Sequence, residues 1–250
     1  MSSSHSTGGL RLPPFFRRLF KFTSMDFETA VWEMTHLIIA PKQVFRNIYY
    51  HKQTKNSYHR ADPAFTYLLS LFLLLTGLAW GIAYADGFGR TIRVAFVFVF
   101  GHFLGTSLLI STLMFFLVGR VLGKRRQGLF DSPGSEEGLE FGYCFDVAIR
   151  AFLPVWVFLY VVQFLFMPLI VWQPWISRLF GNMLYLLGMS YYFVITFLGY
   201  NALPFLSRTE ILLAPVPVLA IIWLISVFTF DCATKLAPVL WCGVRLRHSV

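Results

Sequence analysis

Charge is what this sequence has least of. Asp, Glu, Lys and Arg make up 13% of the 250 residues and apolar residues 57%, against about 25% and 45–50% in an ordinary soluble domain. That balance excludes a soluble globular domain. Acidic residues are the scarcer kind, 12 against 21 basic, leaving a formal charge of +9. Catalytic signatures are missing as well. The chain has no Gly-x-Ser-x-Gly, no Walker loop, no His-Glu-x-x-His and no Asp-rich stretch, so no motif argues for an enzyme or a cofactor. Cys144, Cys232 and Cys242 are the only cysteines. Their spacing suits neither a metal site nor a disulfide framework, although Cys232 and Cys242 lie in the expected lumenal tail, where a pair could form. No Asn-x-Ser/Thr acceptor occurs, so no lumenal glycan is expected. Residues 1–30 lack an uninterrupted apolar region, so insertion is expected to use the first span itself.

What the chain does have is long uncharged runs. A bilayer core of about 30 Å takes roughly 20 apolar residues as helix. Five runs qualify, with spans expected at about 64–85, 94–119, 147–171, 179–203 and 211–230. Residues 236–244 are too short for a sixth. Asp62 is a good N-cap and Pro63 a good first helical residue, which marks the start of the first span. The fold class predicted is an all-α polytopic membrane protein of five transmembrane helices, preceded by cytoplasmic amphipathic helices. Its parts are a disordered basic leader at 1–24, amphipathic helices at 25–61, the membrane domain at 62–230 and a lumenal tail at 231–250.

In the amphipathic segment, Phe27, Ala30, Val31, Met34, Leu37 and Ile38 recur at helical spacing. About 15 residues is too short and too charged to span, so this helix is expected flat on the membrane surface or packed under the bundle. Pro41 breaks it, and a second helix carries Val44, Phe45, Ile48 and Tyr49 on one side. Lys and Arg number 14 on the side of the leader and the 120–142 loop and six on the other, leaving Arg150 aside. The positive-inside rule then makes the amino end cytoplasmic, and five spans put the carboxyl end in a lumen or outside.

Several constellations lie within or beside the spans. Gly77-x-x-x-Gly81 and Gly101-x-x-x-Gly105 are small-residue stripes in consecutive spans. They are expected to face each other in an antiparallel hairpin, a homodimer face being the alternative. Asp146 and Arg150 stand at i, i+4 in acid-first order, which places an ion pair at the membrane interface. His102 is the deepest ionisable group. With no carboxylate in the neighbouring runs, it reads as a neutral histidine bonded to a hydroxyl or a carbonyl. Glu33-x-x-His36 has the spacing of a metal half-site, but no second pair exists to complete it. A small-molecule or lipid transporter is the competing function class. It would need His102, Gln163, Asn182 or Asn201 to line one cavity near mid-membrane.

Ordered motifs narrow this further. Met25-Asp26-Phe27-Glu28, Trp32-Glu33-Met34, Arg46-Asn47, Lys52-Gln53-Thr54-Lys55, Asp62-Pro63-Ala64-Phe65, Gly142-Tyr143-Cys144-Phe145-Asp146-Val147 and Thr196 to Leu206 follow one another with fitting spacing. By these the chain resembles the uncoordinated-fifty family of Golgi membrane proteins, from about Arg17 to about Phe230. The family is similar in layout to Yip-type trafficking proteins. The resemblance implies a multi-pass protein of the Golgi membrane, or of the endoplasmic reticulum, that is not an enzyme and takes no cofactor. It implies an adaptor in vesicle-mediated protein transport that helps recruit a large Arf guanine-nucleotide exchange factor. Surface delivery of client membrane proteins, acetylcholine receptors among them, would depend on it. Phe27, Trp32, Arg46, Lys52, Lys55, Asn201, Pro204 and Arg208 are the partner-contact candidates on its cytoplasmic face. The basic residues flank spans and no RNA-binding motif is visible, so nucleic acid is not an expected partner.

Overall fold

The computed structural model describes residues 26–47, 63–121, 139–203, 206, 208–235 and 237–243. The basic leader, Lys52, Lys55, Asp62, Pro204 and most of the 120–142 loop lie outside the described residues. Those described are almost wholly helical. Two short helices come first, α1 (Phe27–Ile39) and α2 (residues 41–47). Five helices long and apolar enough to cross a membrane follow: α3 (Ala64–Tyr84), α4 (Phe88–Val118), α5 (Phe141–Trp172), α6 (Pro174–Asn201) and α7 (Thr209–Thr229). Two short helices close the described chain, α8 (Cys232–Lys235) and α9 (Ala237–Cys242).

The long helices outrun the uncharged stretches of sequence. α4 begins six residues before the expected 94, through Arg90 and Arg93. Charge ends a hydropathy run, but it does not end a helix. Arg90 stays exposed and meets Asp86 at 3.7 Å. Pro63 stands just before the first helical residue of α3 rather than within the helix.

α3 and α4 form an antiparallel hairpin closed by the turn at 85–87. Gly87 takes φ +98 there, a left-handed value that costs glycine little. Gly77 and Gly81 do face α4, but what they meet is Ala95 and Thr91. A Cβ on either glycine would stand 2.7 Å from a backbone atom of that pair. Gly101 and Gly105 are exposed, so the expected glycine-to-glycine contact is replaced. The reason is register: a tight turn at 85–87 pairs residues equally far from it. Thr91 and Ala95 are therefore opposite Gly81 and Gly77, while Gly101 lies a further turn and a half along.

Two bonds set the depth scale of the bundle. The Trp80 indole N–H donates to the Tyr160 carbonyl at 2.9 Å, and that of Trp156 to the Thr76 hydroxyl at 3.2 Å. Both pairs are 80 residues apart, so α3 and α5 run parallel in register. α6 returns antiparallel, with Val147 against Gly199 and Val155 near Gly188. α7 packs mainly against α6, and none of its residues from Pro215 to Thr229 is buried. Ile221, Ile222, Leu224, Ile225 and Phe228 face outward, where lipid would lie.

Candidate functional site: a buried charge cluster and a seated carboxyl segment

Two assemblies carry the polar groups of the bundle, one at each end. The first is at the end bearing the amino-terminal helices. The interface pair expected on α5 exists, with the Arg150 guanidinium against the Asp146 carboxylate. Arg150 is buried by protein, however. It is 3% exposed, and it also donates to Glu33 of α1 at 3.1 Å. Glu33 is 6% exposed. The Arg150 guanidinium carbon is 5.6 Å from the centroid of the Phe65 ring, at the start of α3. One cation thus ties α1, α3 and α5 together. A shallow crevice beside it is lined by Asp26, Thr29, Glu33, Phe65 and Arg150.

Local sequence explains why α1 presents Glu33 there. Asp26 caps the helix, its carboxylate accepting from the Thr29 N–H at 3.1 Å. Ala30, Glu33, Met34 and Leu37 then fall on one face and are buried. Glu33 is the one acid of the helix on that face. A charge left alone there would be costly, so the pairing is obligatory. The Tyr191 hydroxyl of α6 donates to the Ile38 carbonyl at 2.6 Å and fixes the far end of α1. Glu33 and His36 do not act together. The His36 ring bonds the Trp32 carbonyl at 2.9 Å, and no cluster of three potential metal ligands exists among the described residues.

The expected contact residues separate. Phe27 is exposed on α1, while Trp32 is half-buried with its ring stacked 4.1 Å from that of His36. Arg46, Asn201 and Arg208 are all exposed at this same end. Phe45 lies against Gly199, close to Asn201 in sequence, and Asn201 accepts from the Thr209 hydroxyl at 2.9 Å. Arg208 sits in the left-handed region at φ 59, an uncommon conformation for a side-chain-bearing residue.

The second assembly is at the opposite end, where the chain beyond α7 folds back into the bundle. Asp231 is buried and caps α8, accepting from the Thr234 N–H at 3.1 Å. Asn182 donates to the Phe230 carbonyl at 2.7 Å and accepts from the Cys232 N–H at 2.9 Å. Gln163 donates to the Ala233 carbonyl at 3.2 Å. α9 then lays Trp241 flat on Tyr160, ring centroids 4.7 Å apart, and edge-on to Trp80 at 5.2 Å. The Tyr160 hydroxyl bonds His102 at 2.9 Å, so the histidine has the hydroxyl partner its sequence context suggests. α4 and α5 widen to π-helical turns at Val97–Gly105 and Trp156–Val162, where these two residues meet. Cys232 and Cys242 are free thiols, and burial raises the Cys242 pKa to about 11.

The four polar residues a transport cavity would have used are therefore dispersed. Gln163 and Asn182 hold backbone groups of residues 230–233, His102 holds Tyr160, and Asn201 holds Thr209. Sequence reasoning anticipated a hydroxyl or carbonyl partner for His102 but missed what Gln163 and Asn182 bind. The partners of those two include main-chain atoms some 50 to 70 residues away, which leave no side-chain signature. Glu33 was considered only as half of a metal site that has no second pair; its actual partner, the Arg150 guanidinium, is 117 residues distant.

The family described as UNC-50 matches residues 15–241. A protein unc-50 homolog of Rattus norvegicus is 40% identical over 225 residues, covering 90% of this chain and 84% of the relative. That of Homo sapiens is 40% identical with the same coverage. Protein GMH1 of Saccharomyces cerevisiae is 39% identical over 237 residues, covering 92% of this chain and 86% of its own length. No solved structure matches. A match over nearly the whole chain, together with five long apolar helices, establishes that this multi-pass helical membrane protein belongs to the UNC-50 family.

Proposed function

We propose that the protein is a non-enzymatic adaptor of the Golgi and early secretory membranes. Its amino-terminal end faces the cytoplasm and its carboxyl segment faces the lumen. It helps a large Arf guanine-nucleotide exchange factor to associate with the membrane, and it thereby supports delivery of client membrane proteins to the surface. The excess of Lys and Arg on the leader side supports this orientation.

The observation that carries the reading is the Arg150 cluster. A short amphipathic helix is locked to two spans by a buried cation and two carboxylates, while His102, Gln163, Asn182 and Asn201 each bond a different partner and do not converge on a common space. Such a clamp holds the amino-terminal helices rigidly at the end of the bundle. Exposed Arg46, Asn201 and Arg208 are presented together on that end, a polar and basic edge suited to an acidic or polar protein surface.

The test keeps the clamp intact. Arg46→Glu combined with Arg208→Glu should lower Golgi association of the exchange factor several-fold by quantitative microscopy, with membrane insertion unchanged. Undiminished association in a correctly inserted double variant would refute the assignment of this edge.

A further inference from the structure

We infer that the carboxyl segment, α8 and α9, is the latch of a register switch in α5. While it is seated, residues 163–172 keep their present register. When it is withdrawn, the π-helical turn before them reverts to α-helix and they rotate by about 100°. The register shows in the pairing of α5 with α6. A Cβ on Gly199 of α6 would meet Val147, and one on Gly181 would stand 3.8 Å from Ile170 Cγ2. Those glycines are 18 residues apart, about five whole helical turns, so they lie on one line along α6. Val147 and Ile170 are 23 residues apart, which a regular α-helix would place about 140° from each other around its axis. Both nevertheless meet the same line. The turn at Trp156–Val162 makes the difference. The Gln163 N–H donates to the Phe158 carbonyl, five residues back rather than four, and the turn takes up about one residue. The angle between Val147 and Ile170 then falls to about 40°.

Groups of the carboxyl segment hold this register. Gln163, directly after the turn, donates to the Ala233 carbonyl at 3.2 Å. Ala233 fills the space beside Gly181, where an added Cβ would stand 2.6 Å from its own. Trp241 lies flat on the ring of Tyr160, within the turn, and edge-on to Trp80, whose indole N–H donates to the Tyr160 carbonyl. A π-helical backbone is rare and persists where its surroundings hold it. On the far side, residues 163–172 end at Gln173, which is extended at φ −132 and ψ 134 and breaks the helix before α6. A rotation by one residue would bring Phe166 and Leu169 to the places of Met167 and Ile170. Met167 and Ile170 are 0% exposed, whereas Phe166 is 43% and Leu169 40% exposed. Both stripes are apolar, so the two registers differ little in what they bury. Gln163 is the exception, and the carbonyl its amide meets belongs to α8. Seating the carboxyl segment therefore selects the present register.

The test combines two changes in the full chain, purified in detergent. Trp241→Ala unseats α9, and deletion of Val161 removes the spare residue, so that a regular helix keeps Val147 and Ile170 on the α6 line. The readout is sulfoxide formation at Met167 under hydrogen peroxide, measured by mass spectrometry against buried Met34 of α1. Trp241→Ala should raise the Met167 rate at least about fivefold relative to Met34, as rotation turns Met167 outward. Deletion of Val161 alone should leave the thermal midpoint within about 4 °C of the wild type, whereas deletion of Ala151, where the helix has no residue to spare, should abolish folding. With both changes together, Met167 should react as slowly as in the wild type. An unchanged Met167 rate in Trp241→Ala would overturn the inference. So would an equal rise with Val161 deleted, which would mean general loosening rather than rotation. Failure of the Val161 deletion to fold would overturn it independently, since the turn would then hold no spare residue.

Discussion

The two ends of the bundle solve the same problem by different chemistry. At one end a short helix is held by a buried cation between two carboxylates. At the other a short segment is held by neutral amides and stacked aromatic rings. The difference lies in how each tolerates change. Removing one member of a buried ion cluster leaves an uncompensated charge in a low-dielectric setting. Removing one amide leaves a backbone group without its partner, which is a smaller loss. The amino-terminal lock should therefore fail abruptly and the carboxyl-terminal seat gradually.

Arg150→Met breaks the comparison at its stronger side. It strands Glu33 and Asp146, and the expected cost is about 3–5 kcal/mol, seen as a large fall in the thermal midpoint in detergent. Adding Glu33→Gln and Asp146→Asn to Arg150→Met should recover much of that loss, since the neutral set has no unpaired charge. A triple variant no better than the single one would show that the cluster's charge is not what matters. On the aromatic side, Trp241→Ala removes the ring stacked on Tyr160, at a cost of about 3 kcal/mol. It should increase the accessibility of Cys242 to alkylation while leaving exchange in α1 unchanged.

Gly81→Ala should cost about 1–3 kcal/mol by forcing α3 away from Thr91. Gly101→Ala should be neutral, because its Cβ would meet nothing closer than 3.7 Å. Equal effects would contradict the register of the hairpin. The smallest effect concerns reactivity. With its pKa raised to about 11, Cys242 is almost wholly thiol at neutral pH. Its maleimide labelling should be slow at pH 7 and should accelerate steadily as pH rises toward that value, whereas a pH-independent rate would argue against a buried thiol.

How much of this was legible in the sequence divides along the same line. The spans were legible because bilayer thickness imposes a length on uncharged runs. Asp146 and Arg150 were legible because helical geometry makes i, i+4 neighbours meet. Gly77 and Gly81 were legible as a packing face, but their partners were misjudged, since the turn and not the motif sets the register. Glu33 was not legible as the third member of the cluster, because no local rule links residues on α1 and α5. The carboxyl segment was the least legible of all. Asp231 and Asn182 look like ordinary polar residues at the ends of apolar runs, and only the return of the chain reveals that they cap and hold it.

The central claim is that α1 is an integral part of the membrane bundle, fixed there by Arg150. Amide hydrogen exchange over residues 30–37, in wild type and in Arg150→Met, tests it most directly. The account predicts exchange in the wild type as slow as in the middle of α3, and selective loss of that protection in the variant while α6 stays protected. Rapid exchange over residues 30–37 in the wild-type protein would contradict it.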